Sequence, residues 1–333
     1  MVIVVSYFTA YLEQLHAENR VSQSYRFAEG TARNMISGIR TWYTFCVYFN
    51  LQPLPATPVS VVPFLELMAI TVSYDHIKHL LHSVKFLHEA RGLEYPEHNF
   101  DIVTTLHGLK RKLASTPHQA LPLTPSILRT MYSKLDMGKL RDKALWSSYL
   151  ITFFCLFRKS NSVPKSGSKI NLKRTLLRRD IVIDEASDMI YVNVTFSKTN
   201  HFGNKNIVIP IPGNSDPALD PVRHLRDLFA AVDCPGDSPA FTYGEKKFIT
   251  YSSFTTNLKK LLAMSGYNPA LYSGHSFRRG GATFLYRLGA SILQIQISGD
   301  WVSQCFARYL HVTEEERLIV QNMVSKAISS GNA

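Results

Sequence analysis

The most informative stretch of this chain is HSFRRGGA at positions 275–282, in which an arginine follows a histidine by three residues. Three further segments carry polar residues that suit phosphate chemistry. They are FRKS at 157–160 after a long apolar run, SKT at 197–199 at the end of a β-rich run, and GDW at 299–301 ahead of Tyr309. Each segment alone is common in proteins, so the information lies in their order along the chain.

Composition limits the class of protein. The chain has 333 residues, a formal net charge of +12 and 45% hydrophobic residues, which is typical of a folded protein with room for two domains. The longest nearly apolar stretch, residues 145–157, is too short to cross a bilayer, and the first residues lack the pattern of a secretion signal. Four scattered cysteines lack metal-ligand spacing. We expect no metal, no cofactor, no membrane partner and an intracellular location.

Positive charge is concentrated in the second part of the chain. Residues 1–118 carry 10 Lys and Arg against 9 Asp and Glu, whereas residues 119–333 carry 27 against 16. Stretches of one sign favour a polyanionic partner such as nucleic acid, and a merely basic surface is the alternative. The basic residues that we predict to contact phosphates are Lys110, Arg111, Lys112, Lys165, Lys169, Lys173, Arg174 and Arg279.

Hydrophobic periodicity predicts a helical first domain over residues 1–118 and a mixed second domain over residues 119–333. Helices are expected in the first domain at 31–48, 61–71, 75–90 and 100–113. In the second domain, strands are expected at 180–184, 189–197 and 206–211. Helices are expected there at 124–135, 141–157, 221–232, 252–264, 276–288, 291–298, 304–311 and 314–328. The predicted fold class is mainly α with a small antiparallel β-sheet.

The order of these residues resembles that of the tyrosine recombinases, the phage-integrase-like family of DNA strand-exchange enzymes. The order is an arginine, a lysine in a hairpin, a His-x-x-Arg motif and a tyrosine. The 34-residue interval from His275 to Tyr309 is the one that this family shows. The sequences at 156–161 and 275–282 are most similar to recombinases of eukaryotic mobile elements, of the Crypton and DIRS-like kind. Motifs carry the resemblance through most of 119–333, whereas 1–118 matches the family's helical core-binding domain in size and class only.

The resemblance implies a site-specific recombinase or integrase that cuts and rejoins double-stranded DNA through a 3′-phosphotyrosyl intermediate, without a metal ion. Tyr309 would be the nucleophile, and His275 would be its base or hydrogen-bonding partner. The guanidinium forks of Arg158 and Arg278 match phosphate oxygens and would stabilise the charge of the transition state. The protein would work in the nucleus if its source is eukaryotic and otherwise in the cytoplasm.

Three positions leave alternatives open. Lys198 would donate a proton to the departing 5′-oxygen, with Lys205 as the alternative. The family's His-or-Trp position falls at Trp301 or Asp300, and we favour Trp301 because an indole N–H can donate to a phosphate oxygen that a carboxylate would repel. The tryptophan could instead simply pack under the nucleophile's helix. Asn161 stands where the family often has an acidic residue, which puts an orienting ion pair in doubt.

Other functions also fit parts of the pattern. A catalytically idle relative that binds DNA without cutting it is the first alternative, and a type IB topoisomerase-like enzyme is the second. A metal-dependent nuclease is disfavoured because the acidic residues of the second domain are dispersed or confined to 314–316, where they suit the start of a helix.

The end of the chain predicts an assembly. Beyond Tyr309, an amphipathic helix has apolar residues available at Leu318, Ile319, Met323, Val324 and Ile328. The resemblance implies that this helix docks onto a neighbouring protomer and links dimers to tetramers on DNA. Folding back onto its own domain is the alternative.

Overall fold

The structure is a computed structural model that describes residues 26–114, 119–167, 170–195, 207–301, 304–310 and 314–329. Chain packing divides the protein into two compact units, Met1–Pro117 and His118–Ala333. Within the described ranges, no helix combines the length and the apolar composition that crossing a membrane requires. The roles assigned to the two parts of the chain, DNA binding and catalysis, stay predictions.

The first unit is built from helices, which are α1 Glu29–Tyr48, α2 Pro58–Ala69, α3 Tyr74–Glu89 and α4 Phe100–Lys112. Helix α1 packs on α3 and α2 packs on α4, around a core that includes Trp42, Phe64 and Val84. Helix α2 begins three residues earlier than predicted, at Pro58. Proline is well tolerated there because the first N–H of a helix has no partner within the helix.

The second unit confirms the predicted fold class, mainly helical with a small antiparallel sheet. Its helices are α5 Pro125–Tyr132, α6 Leu140–Phe154, α7 Lys159–Ser162, α8 Pro221–Ala231, α9 Tyr251–Met264, α10 His275–Arg287, α11 Ile292–Ser298 and α12 Glu314–Ser329. Its strands are β1 Ile181–Asp184, β2 Met189–Val194, β3 Ile207–Pro212, β4 Thr242–Gly244 and β5 Lys247–Phe248. A 3-10 helix, Gln304–Tyr309, stands where a longer α-helix was predicted.

The three-stranded sheet has the order β1-β2-β3 with antiparallel pairing throughout. Val192 of β2 pairs with Ile181 on one side and Ile209 on the other. Alternate residues of β2 are buried, as expected for a sheet with one face on the core. The β4–β5 hairpin was not predicted because strands of three and two residues are too short to show periodicity.

Helix α6 ends three residues earlier than predicted because of the backbone at Leu156. This residue has a φ of 50°, and a left-handed residue cannot continue a right-handed helix. The Phe157 amide closes the turn by donating to the Thr152 carbonyl at 3.0 Å. The chain therefore reverses at this point, and Arg158 becomes the N-cap of α7.

Helix α10 packs closely against its neighbours through two glycines. A Cβ at Gly280 would lie 2.0 Å from the Leu123 carbonyl oxygen, and one at Gly281 would lie 2.6 Å from the Phe153 carbonyl oxygen. A side chain at Gly280 would push α10 away from the segment at Leu123, and one at Gly281 would push it away from the end of α6. The glycines thus allow residues of α10 to reach the turn at Leu156.

Two glycines of the first unit give opposite predictions for substitution by alanine. In α1, a Cβ at Gly38 would lie 2.3 Å from Ser83 Oγ of α3, whereas Gly108 in α4 has nothing within 4 Å. Gly38→Ala should destabilise the unit by about 1–3 kcal/mol through overpacking. Gly108→Ala should stabilise it by about 0.5–1 kcal/mol through helix propensity. Hydrogen exchange of α1 and α3 peptides in the full chain measures both, and equal effects would contradict the close helix crossing.

Candidate active site

The centre of the candidate site is Arg278, which lies in the first turns of α10 and is 3% exposed. One terminal nitrogen donates to the Leu156 carbonyl, and the other donates to the Gly299 carbonyl at 2.8 Å. The Nε atom is buried and has no partner within the described ranges. The fork expected to face phosphate is therefore directed at main-chain carbonyls, because a buried guanidinium needs hydrogen-bond acceptors.

Two aromatic rings flank this arginine. The Arg278 guanidinium carbon lies 3.9 Å from the centre of the Trp301 ring and 5.2 Å from that of Tyr309. The two rings are themselves 5.3 Å apart. Gly299 makes room for the indole, since a Cβ there would fall 1.8 Å from it. Cation–π attraction thus holds the predicted nucleophile beside a positive charge.

The charge of Arg278 is costly to bury. Desolvation and the nearby Arg158 lower the pKa of Arg278 to about 10, while Tyr309 and Asp300 act in the opposite direction. The guanidinium is still protonated at neutral pH. An anion that entered the site would offset this repulsion, so the electrostatics favour binding of a phosphate group.

Arg158 and His275 approach from two different elements. Arg158 is the half-buried N-cap of α7, and His275 is the first residue of α10. Partial desolvation lowers the pKa of His275, and the positive charges of Arg158, Lys159 and Arg278 lower it further, although the side chain reaches solvent. The imidazole is therefore neutral at pH 7 and able to accept a proton.

His275 and Tyr309 line the same open hollow of about 430 Å³. Arg158, Arg278 and Asp300 line a smaller one of about 30 Å³. The structure thus brings the predicted Arg158, His275, Arg278, Trp301 and Tyr309 into one region, although their chemical roles stay predictions. Over the described part of the chain, no group of three His, Cys, Asp or Glu side chains is placed to hold a metal ion.

Trp301 is placed as a packing residue. Its side chain is 6% exposed, lies against Arg278 and Tyr309, and has an Nε1 atom that is buried without an acceptor in the described segments. This geometry corresponds to the packing alternative. The phosphate contact that we preferred for the indole would require Nε1 to become accessible.

The predicted phosphate contacts are placed in several ways. Lys165, Lys173 and Arg174 are exposed in the second unit, and Lys110, Arg111 and Lys112 are exposed at the end of α4. Lys169, Lys198 and Lys205 lie outside the described residues. All of these contacts stay predictions.

Arg279 is turned into the protein. It is 6% exposed, and its terminal nitrogens donate to the Gln119 side-chain oxygen at 2.6 Å and to the Leu310 carbonyl at 3.4 Å. Desolvation lowers the pKa of Arg279. A DNA contact by this residue would require those hydrogen bonds to break. In this geometry Arg279 holds the main chain immediately after Tyr309.

Sequence reasoning missed Lys159 as a part of this site. The residue was visible beside Arg158, but its approach to His275 depends on the turn at Leu156 and on Gly274, which precedes His275. The only signal in the sequence was that Lys159 is a basic residue next to Arg158, and this does not show where its side chain points.

Comparisons with known proteins support the fold. No protein-family model matches the sequence, and the search of curated proteins finds no match to it. The Tn1549 transposon integrase, bound to a circular intermediate DNA, shares the fold with a TM-score of 0.60 and 13% identity, over 93% of this chain and 98% of that one. A lambda integrase dimer bound to a core site gives 0.56 and 16%, over 89% and 94%. The XerH site-specific recombinase, in a post-cleavage complex, gives 0.52 and 12%, over 81% and 70%.

These structural neighbours are tyrosine recombinases and integrases, and the likeness shows that the chain has their fold. At 12–16% identity it shows the fold alone. Chemistry must therefore be argued from the residues of this chain.

Inorganic phosphate tests the electrostatics of the site without DNA. Because Arg158 and Arg278 repel each other, phosphate should raise the unfolding temperature more than chloride at equal ionic strength. Arg158→Gln should remove most of this difference. Arg129→Gln is the matched control, because Arg129 forms a surface ion pair with Asp216. Differential scanning fluorimetry measures all three proteins, and an undiminished phosphate effect in Arg158→Gln would contradict the site.

Proposed function

We propose that the chain is a site-specific DNA recombinase or integrase that cuts and rejoins strands through a 3′-phosphotyrosyl intermediate. The observation that carries this proposal is the convergence of Arg158, His275, Arg278 and Tyr309 from three separate elements, in a fold shared with DNA-bound recombinases. The sequences at 156–161 and 275–282 support a mobile element as the source.

The proposed chemistry balances within the chain's own residues. The phenolic oxygen of Tyr309 forms a bond to phosphorus while the bond to the 5′-oxygen breaks. His275, which is neutral at pH 7, takes the phenolic proton. Lys198 gives a proton to the departing oxygen. The reverse reaction rejoins a strand, so no external energy source is needed.

The two arginines divide the electrostatic work. With its terminal nitrogens bonded to carbonyls, Arg278 contributes a buried positive charge beside Tyr309. Arg158, half-buried at the start of α7, presents its fork to the phosphoryl oxygens. Charge placed in advance where negative charge develops is the usual source of large rate enhancements.

Double-stranded DNA is the proposed partner, held by many phosphate contacts from the exposed lysines and arginines named above. A dimer or tetramer on DNA would form through α12, in which Leu318 is 60% and Ile328 is 65% exposed. Docking on a neighbouring protomer would cover these side chains. DNA as substrate places the work in the nucleus of a eukaryotic source, or otherwise in the cytoplasm.

A covalent adduct tests the proposal directly. Purified protein is incubated in EDTA with a pool of nicked duplexes that have randomised cores, and protein-linked DNA is separated on denaturing gels and sequenced. We expect an adduct to accumulate, because the released strand cannot rejoin at a nick. The trapped DNA should share a common core, because the proposed enzyme is site-specific. Tyr309→Phe should give none, whereas the matched control Tyr286→Phe should give the parental amount. An adduct that persists in Tyr309→Phe would place the nucleophile elsewhere.

A further inference from the structure

Lys159 lies across the main chain that leads into His275. A Cβ built on Gly274 would be 2.9 Å from Lys159 Cδ and 3.4 Å from Cγ, so the lysine stem packs directly on the Gly274 backbone. Gly274 is the N-cap of α10. The stem of Lys159 therefore contacts the point at which the helix that carries His275 begins.

The ammonium group of Lys159 is held by α9. Its Nζ lies 3.4 Å from the Thr255 hydroxyl and 5.1 Å from the centre of the Tyr251 ring. Neither partner carries a negative charge at neutral pH, so the positive charge is retained. The side chain of Lys159 thus contacts both the first half of α9 and the start of α10.

We propose that Lys159 is a positioning residue for His275. The stem of Lys159 supports the first turn of α10, and its ammonium group keeps the imidazole of His275 in its proton-accepting form. This inference rests on the proposed function only for the reaction that the imidazole serves. The contacts of Lys159 do not depend on it.

Within the described residues, the charged groups that shift the pKa of His275 are all positive and lower it. Arg158 and Lys159 face it from the start of α7, and Arg278 faces it from α10 itself. The hollow that His275 lines is also lined by Arg279, Arg308, Tyr272 and Tyr309, and none of the described residues that line it is acidic. Lys159 lowers the pKa of His275, and its stem also packs against the main chain before that residue.

Histidine titration by NMR separates the role of charge from that of packing. The 333-residue chain with labelled histidines is titrated between about pH 5 and 8, and the His275 signal is assigned by its loss in His275→Gln. Lys159→Met removes the charge and keeps an apolar stem. Lys159→Gln also removes the charge but places a polar group on the side chain. Lys159→Arg keeps both the stem and the charge. Lys260→Met, an exposed lysine of α9, is the matched control.

The two variants without charge should move the His275 midpoint upward, toward the value of about 6.5 for a free histidine. Lys159→Arg and Lys260→Met should keep the parental midpoint. In adduct formation, the acidic limb of the pH profile should move upward by the same amount in Lys159→Met. If Lys159 acted through packing alone, the His275 midpoint and the acidic limb of the adduct profile would both keep their parental positions in Lys159→Met.

An unchanged midpoint in both charge-removing variants would overturn the inference, and so would an equal shift in Lys159→Arg. If the parent forms no adduct with DNA, the proposed function fails, and the NMR titration still decides the role of Lys159.

Discussion

The buried guanidinium of Arg278 is the interaction on which the candidate site depends. Its hydrogen bonds to the Leu156 and Gly299 carbonyls join three segments that are distant in sequence. Both acceptors lie at sharp turns, since Leu156 and Asp300 have φ values of 50° and 49°. Loss of the side chain would strand two buried carbonyls, which costs about 1–3 kcal/mol for each group. The turns that place Arg158 and Trp301 would then lose their common anchor.

The positive charge of the site serves two purposes. Arg158, Lys159 and Arg278 lower the pKa of His275, which keeps the imidazole neutral, and they also favour the entry of a phosphate. The negative charge of that phosphate would offset the cations and raise the pKa of His275 again. In the proposed reaction, the imidazole would therefore become a stronger base when the phosphate arrives, at the step in which Tyr309 would lose its phenolic proton.

Much of the fold followed from periodicity. Helix α10 was predicted at 276–288 and is found at His275–Arg287, because its apolar positions repeat at the helical spacing. Helix α6 was predicted to reach residue 157, since the apolar run continues that far while the left-handed turn at Leu156 leaves no mark in the sequence.

The residue types of the site could be predicted from the sequence, but the directions in which their side chains point could not. The order of Arg158, His275, Arg278 and Tyr309 was visible in the sequence, but the carbonyl partners of Arg278 depend on the packing of α10. Likewise, Arg178 belongs to a stretch without acidic residues, yet it donates to the carbonyls at the end of α8 and stacks on Phe229. A count of basic residues therefore overestimates the charge available to DNA.

Peptide mass spectrometry of the trapped protein–DNA complex tests the central claim most directly. After nuclease and trypsin digestion, the attached nucleotide should be found on Tyr309, in the peptide that covers residues 309–317. A nucleotide on another residue, such as Tyr286 in the peptide of residues 280–287, would contradict the account.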